Sequence, residues 1–165
     1  MYFIKKIVNL IINSIFFLSM FPLIFVYRVQ SIFFKKHLIF QTYSQLISLI
    51  PGKIGNRLRY TFYKHSLDKI GSGAVISFGV TFVYPNINIG DRVYIGPHSH
   101  LAMCNIGDDI LIASNVYILS GLKQHNISDI KKPISEQPGE LKTVQIGSGS
   151  WIGNRATIAD HVGIG

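Results

Sequence analysis

Acidic side chains are missing from the first 67 residues of this chain; the first of its eight is Asp68. Residues 1–69 hold ten Lys/Arg against that one acid, whereas residues 70–165 hold six against seven. The net charge of +8 and pI near 9.7 therefore belong to the N-terminal part alone. That asymmetry excludes a basic nucleic-acid-binding surface on the C-terminal part and points the N-terminal part toward an anionic membrane surface. Cysteine is limited to Cys104, which excludes an intramolecular disulfide framework and is compatible with a reducing compartment. No small-residue cleavage site follows the N-terminal apolar run, so a removed signal peptide is not expected.

That run, Ile7 to Tyr27, is 21 uncharged residues between Lys5-Lys6 and Arg28. It is long enough to cross a bilayer as a helix, and Pro22, Asn9 and Asn13 within it also allow a kinked or re-entrant segment. Arg28, Lys35 and Lys36 outnumber Lys5 and Lys6, which places the C-terminal side in the cytoplasm. Residues 1–43 are read as anchor and juxtamembrane segment, and residues 44–69 as a basic amphipathic helix that also caps the near end of the C-terminal part. In that helix Ile54, Leu58 and Phe62 are spaced by four, among Lys53, Arg57, Arg59 and Lys64.

From residue 70 the pattern changes. Aliphatic or aromatic residues recur every six positions: Ile70, Ile76, Phe82; Ile89, Ile95, Leu101; Ile106, Ile112, Ile118; Ile146, Ile152, Ile158, Ile164. Single-residue shifts occur before Ile89 and Ile106. A fixed short period marks a stacked solenoid, and three hexads per turn give a left-handed parallel β-helix over 70–165. The six-fold residue points into an axial core. Four places later comes a small or branched partner such as Ala74, Val93 or Val116, and the residue after the aliphatic is often glycine, expected at corners for its torsions and small size. Between Ile118 and Ile146 the period fails, and residues 120–143 form a polar looped-out insertion containing His125, Pro133 and Pro138.

With this repeat, the sequence LSGLKQHN and the returning rung QIGSGSWIGNRATI, the chain resembles the hexapeptide-repeat acyltransferases, in particular the sugar O-acetyltransferase branch. The resemblance implies a homotrimer with an active site between subunits and acetyl-CoA as acyl donor, with no metal. By resemblance His125 takes the place of the general base, and Trp151, Gly153 and Asn154 lie along the cofactor groove. His98, His100 and Asn115 lie on the acceptor side, with His100 standing where relatives commonly carry asparagine. Zinc, as in trimeric β-helical carbonic anhydrases, requires a closely spaced histidine pair after the loop that His125 lacks. Relatives continue past the present end with another coil and a cap, so the resemblance implies a C-terminally truncated chain.

A histidine near neutral pKa suits removal of a hydroxyl proton, and a backbone amide suits the developing oxyanion. Asp129, Glu136 and Glu140 are the carboxylates of the loop available to orient it. The sequence is thus read as a membrane-associated, acetyl-CoA-dependent O-acetyltransferase at the cytoplasmic face of a bacterial membrane. Its acceptor is a sugar hydroxyl of a surface polysaccharide or a lipid-linked precursor. An N-acyltransferase on an amino-sugar nucleotide and an inactive membrane scaffold are the alternatives.

Overall fold

The computed structural model describes residues 2–121 and 123–165. Three helices come first: α1 (Tyr2–Phe33), α2 (Lys36–Ser48) and α3 (Gly52–Lys64). Short strands then wind in coils. The first coil is β1 (Lys69–Ile70), β2 (Val75–Ile76) and β3 (Thr81–Phe82), and the second is β4 (Asn88–Ile89), β5 (Tyr94–Ile95) and β6 (His100–Leu101). The third is β7 (Cys104–Ile106), β8 (Leu111–Ile112) and β9 (Tyr117–Ile118), and the fourth is β10 (Val144–Ile146), β11 (Trp151–Ile152) and β12 (Thr157–Ile158), followed by β13 (Gly163–Ile164).

Equivalent strands stack in parallel into three sheets, β1-β4-β7-β10-β13, β2-β5-β8-β11 and β3-β6-β9-β12. The six-residue period becomes vertical rows. Ile70, Ile89, Ile106, Ile146 and Ile164 lie in register in one sheet, Ile76, Ile95, Ile112 and Ile152 in the second, and Phe82, Leu101, Ile118 and Ile158 in the third. The fold is a left-handed β-helix with an N-terminal apolar helix. The two single-residue shifts fall where expected, at the corners leading from β3 to β4 and from β6 to β7. The row residues form one continuous core with Ala74, Val80, Val93, Ile110 and Val116, buried except at its two ends, where Ile70 and Ile164 are half-buried, and Val162 in the last coil is exposed. Cys104 is a fully buried member of this core opposite Val144.

The corners correct the torsional half of the glycine expectation. Positive φ falls two residues after the usual glycine position, at Gly73, Gly79, Arg92, His98, Asp109, Asn115, Gly149, Arg155 and His161. The residue directly after the aliphatic is small because of crowding from the next coil: a Cβ on Gly96 would lie 2.5 Å from the Ala113 carbonyl carbon. Side chains bridge the same corners from coil to coil. Asp91 Oδ1 accepts from the Ser72 N–H (2.7 Å), and Asp108 Oδ1 from the Asp91 N–H (2.8 Å).

A solenoid end exposes unpaired strand groups and needs a cover. Here α2 and α3 supply it. Ser44 Oγ accepts the Phe82 N–H (2.8 Å), the Ser48 carbonyl accepts the Gly79 N–H (2.9 Å), and the Tyr60 hydroxyl reaches the Gly71 carbonyl (3.2 Å). Tyr63 packs edge-on against Phe82 with ring centroids 4.7 Å apart. Arg59, expected on the solvated basic face, is fully buried instead. It donates from Nε to the Ile76 carbonyl (2.8 Å) and from Nη1 to the Ile50 carbonyl (2.6 Å), tying α3 to the first coil and to the end of α2. Lys53, Arg57 and Lys64 remain exposed.

Helix α1 runs unbroken through Pro22 as one helix rather than a hairpin. Met20, Ile24 and Tyr27 lie on one face and are buried against α2 and α3, with Tyr27 5.6 Å from Tyr43 and 5.5 Å from Phe62 between ring centroids. The opposite face leaves Leu18, Phe21, Phe25, Ile32 and Phe33 exposed. Ile7–Phe33 is long and apolar enough to cross a membrane. Helix α2 was not anticipated from the sequence, and it crosses the expected boundary between residues 43 and 44.

Candidate functional site

The interruption between β9 and β10 folds into a two-limbed ribbon. The Glu140 N–H donates to the Lys123 carbonyl (2.7 Å), Lys142 to Ser120 (2.8 Å) and Asn126 to Gln137 (3.3 Å), and His125 forms an antiparallel bridge with Pro138. Gly139 permits the close approach, because a Cβ there would run into the Lys123 carbonyl oxygen. Gln137 holds the far end: its buried amide donates to the carbonyls of Asp129 (2.8 Å) and Lys132 (3.0 Å) and accepts from the Asp129 N–H (3.1 Å).

The ribbon fixes the backbone of His125 and leaves its side chain exposed beside a cleft of about 770 Å³ that Lys123, Asn126, Pro138 and Glu140 also line. Among the described residues no carboxylate is within ion-pair reach of His125. Asp129 is engaged with Lys132 at 3.5 Å and with the Lys131 N–H at 3.0 Å, and so holds the loop's own turn.

His100 lies elsewhere. The ribbon base and α2 enclose a second cavity of about 320 Å³ over the outer face of the sheet containing β3, β6 and β9, lined by Gln41, Tyr84, His100, Ser120, Gln124 and their neighbours. His100 Nδ1 shares a hydrogen bond with Thr81 Oγ1 (2.7 Å), one coil below, and its ring lies 6.3 Å from that of Tyr117, one coil above. Burial pushes its pKa below the ordinary histidine value, which keeps the ring neutral at pH 7. Among the described residues the cavity lining holds no lysine, arginine or carboxylate, so it suits an uncharged, hydroxyl-bearing ligand. Consecutive residues Gln124 and His125 line the two different cavities.

His98 and His100 flank Ser99 on one rung, but their surroundings differ. Ser99 is fully buried and accepts the Val116 N–H (3.2 Å). His98 is an exposed corner residue (φ 59°) set edge-on to Phe78 at 5.3 Å. Asn115 (φ 58°) occupies the same corner one coil on, where its N–H reaches the Pro97 carbonyl. His98 and Asn115 do not line the cavity that holds His100.

Trp151, Gly153 and Asn154 lie on and just after β11. Trp151 is 77% exposed and stands in register with Leu111 and Tyr94 as an outward apolar row. A Cβ on Gly153 would meet nothing within 4 Å. Asn154 Oδ1 accepts the Ser114 N–H (3.0 Å), which anchors this turn to the coil below.

No family model matches this chain, and no curated protein matches it. Among solved structures it is similar to a hexapeptide-repeat containing acetyltransferase from Vibrio cholerae O1 biovar eltor, complexed with acetyl coenzyme A. The TM-score is 0.50 at 18% identity, over 76% of this chain and 74% of that one. The shared feature is the fold. On that hexapeptide-repeat framework, sequence reasoning missed Gln41, Tyr84, Ser120 and Gln124. Thr81 was legible in principle, since it stands one coil below His100 in the same row.

Proposed function

We propose that this protein is an acyltransferase that moves an acetyl group from acetyl-CoA to a sugar hydroxyl of a surface polysaccharide or lipid-linked precursor. The observation that carries the proposal is the ribbon between β9 and β10, which interrupts an otherwise regular left-handed β-helix and holds His125 at a cleft. A regular solenoid spends a long insertion only where it adds something.

In this account His125 takes the proton of the acceptor hydroxyl as the oxygen–carbon bond forms, and passes it to the departing thiol as the carbon–sulfur bond breaks. Acetyl-CoA supplies the acyl group. Gly153, Asn154 and the exposed indole of Trp151, on and just after β11, are the residues of this chain proposed to meet its thioester arm. His100, oriented by Thr81 in the separate uncharged cavity under the ribbon, is suited to hold a different hydroxyl of the acceptor from the one that reacts at His125. Of the three acceptor-side residues expected from the sequence, His98 and Asn115 have the weaker support.

Tyr94, Leu111 and Trp151 give the β-helix an exposed apolar face that suits packing against further copies of the chain, in keeping with a homotrimer. Sedimentation of the purified chain as a monomer would count against that assembly. The exposed apolar face of α1 and the surplus of basic residues suit attachment at the cytoplasmic side of a membrane. The activity test is transfer of labelled acetyl from acetyl-CoA to glycan acceptors. The intact chain is expected to turn over, and His125→Ala to lose at least about a hundredfold, as for removal of a general base; retained turnover in the variant would refute the role of His125.

A further inference from the structure

The helical cap contains a cavity of its own, about 570 Å³ between α1 and α3 and remote in sequence from the ribbon. Asn13, Phe17 and Leu18 line it from α1, and Tyr60, Lys64 and His65 from α3 and its C-terminal end.

Its polar side is cationic. Lys64 lines the cavity and is exposed, and Arg57, outside the lining itself, is drawn to its edge by donating from Nη1 to the lining residue Asn13 at Oδ1 (3.4 Å). Among the described residues neither Arg57 nor Lys64 has an ion-pair partner, and residues 1–67 contain no carboxylate to provide one. His65 senses the same field. Its pKa is lowered by burial first, and then by the positive charges of Lys64 and Arg28.

The other side is apolar. The Phe17 ring lies 5.0 Å from that of His65, and beyond it Leu18, Phe21 and Phe25 continue as an exposed strip, with Phe21 and Phe25 stacked at 6.3 Å. A small inorganic anion satisfies the cations and leaves the strip wet. An uncharged lipid covers the strip and leaves the cations unmatched. A phosphate carried on a hydrocarbon chain satisfies both.

We propose that the α1–α3 cavity binds the phosphate head of an anionic lipid, with Lys64 and Arg57 meeting the phosphate and Phe17, Leu18 and Phe21 lying along the chain. The site does not depend on the acyltransferase reading. It gives the cap a second task beyond covering the first coil, that of docking a particular class of lipid at a defined place.

The test is native mass spectrometry of the full chain in detergent, titrated with phosphatidic acid, with diacylglycerol and with inorganic phosphate. The proposal predicts one saturably bound phosphatidic acid per chain. Lys64→Gln and Arg57→Gln should each weaken binding about tenfold, the loss of one charge-assisted hydrogen bond, while Lys64→Arg should restore it. Lys53→Gln, on the same helix but one turn further than Arg57 from the lining residues, should leave it unchanged. Unsaturable adducts, equal weakening by Lys53→Gln, or equal binding of diacylglycerol or inorganic phosphate would overturn the proposal. Arg57 and Lys64 are exposed, so unchanged thermal midpoints will confirm that the variants are folded. Acetyl-CoA binding, measured separately, reports on the ribbon site and is independent of each of these outcomes.

Discussion

Arg59 shows how much one buried cation contributes when backbone carbonyls rather than a carboxylate surround it. Besides the Ile76 and Ile50 carbonyls it reaches Asn56 Oδ1 at 2.7 Å from Nη2, so its donors meet acceptors on α3, on the first coil and at the end of α2. Truncation leaves those carbonyls buried without partners, at about 1–3 kcal/mol each. Arg59→Ala is therefore expected to cost about 3 kcal/mol or more, read as a lower midpoint in chemical denaturation; a change under about 0.5 kcal/mol, typical of surface sites, would contradict this role for the guanidinium. Nothing in the local sequence separates Arg59 from Arg57, which stands two positions away and is exposed. The spacing by four of Ile54, Leu58 and Phe62 predicts an apolar stripe that is buried at Phe62 but exposed at Ile54, and the acceptors that make burial of a guanidinium tolerable come from Ile50 and Ile76, which local sequence does not place beside Arg59. The same holds for His100. Its row was legible from the hexads, whereas its enclosure depends on Gln41, on a helix not anticipated from the sequence, and on the ribbon.

At the scale of the element, the coils are set by what the next coil leaves room for. Gly96, Ala113 and Gly153 occupy equivalent places after β5, β8 and β11. A Cβ on Gly96 meets the Ala113 backbone, whereas one on Gly153 meets nothing within 4 Å. Gly96→Ala is expected to destabilise the fold by about 1–3 kcal/mol and Gly153→Ala by under about 0.5 kcal/mol, compared by thermal unfolding. Equal costs would show that crowding between coils is not what selects glycine. The hexad period displayed the coils because each turn repeats one local solution. The ribbon was legible only as a gap in that period. Its pairing rests on Gly139 and on the amide of Gln137, single residues with no repeat to expose them.

For the whole molecule, the division of charge and apolar surface along the chain becomes a division of labour in space. The acid-free helices carry an exposed apolar face and a cationic cavity, and they close one end of a β-helix in which Asp91 and Asp108 bridge corners and Asp109 pairs with Arg92 at 2.6 Å. The two cavities at the ribbon lie on the β-helix side, and Gln41 of α2 joins the cap to one of them. The central claim is that the β-helix takes acetyl-CoA. Titration calorimetry of the 165-residue chain in detergent, with His125→Ala alongside, tests it most directly. The account predicts saturable acetyl-CoA binding of equal affinity by both proteins, since His125 is assigned to the acceptor proton and not to the donor. Absence of binding by the unsubstituted chain would contradict it.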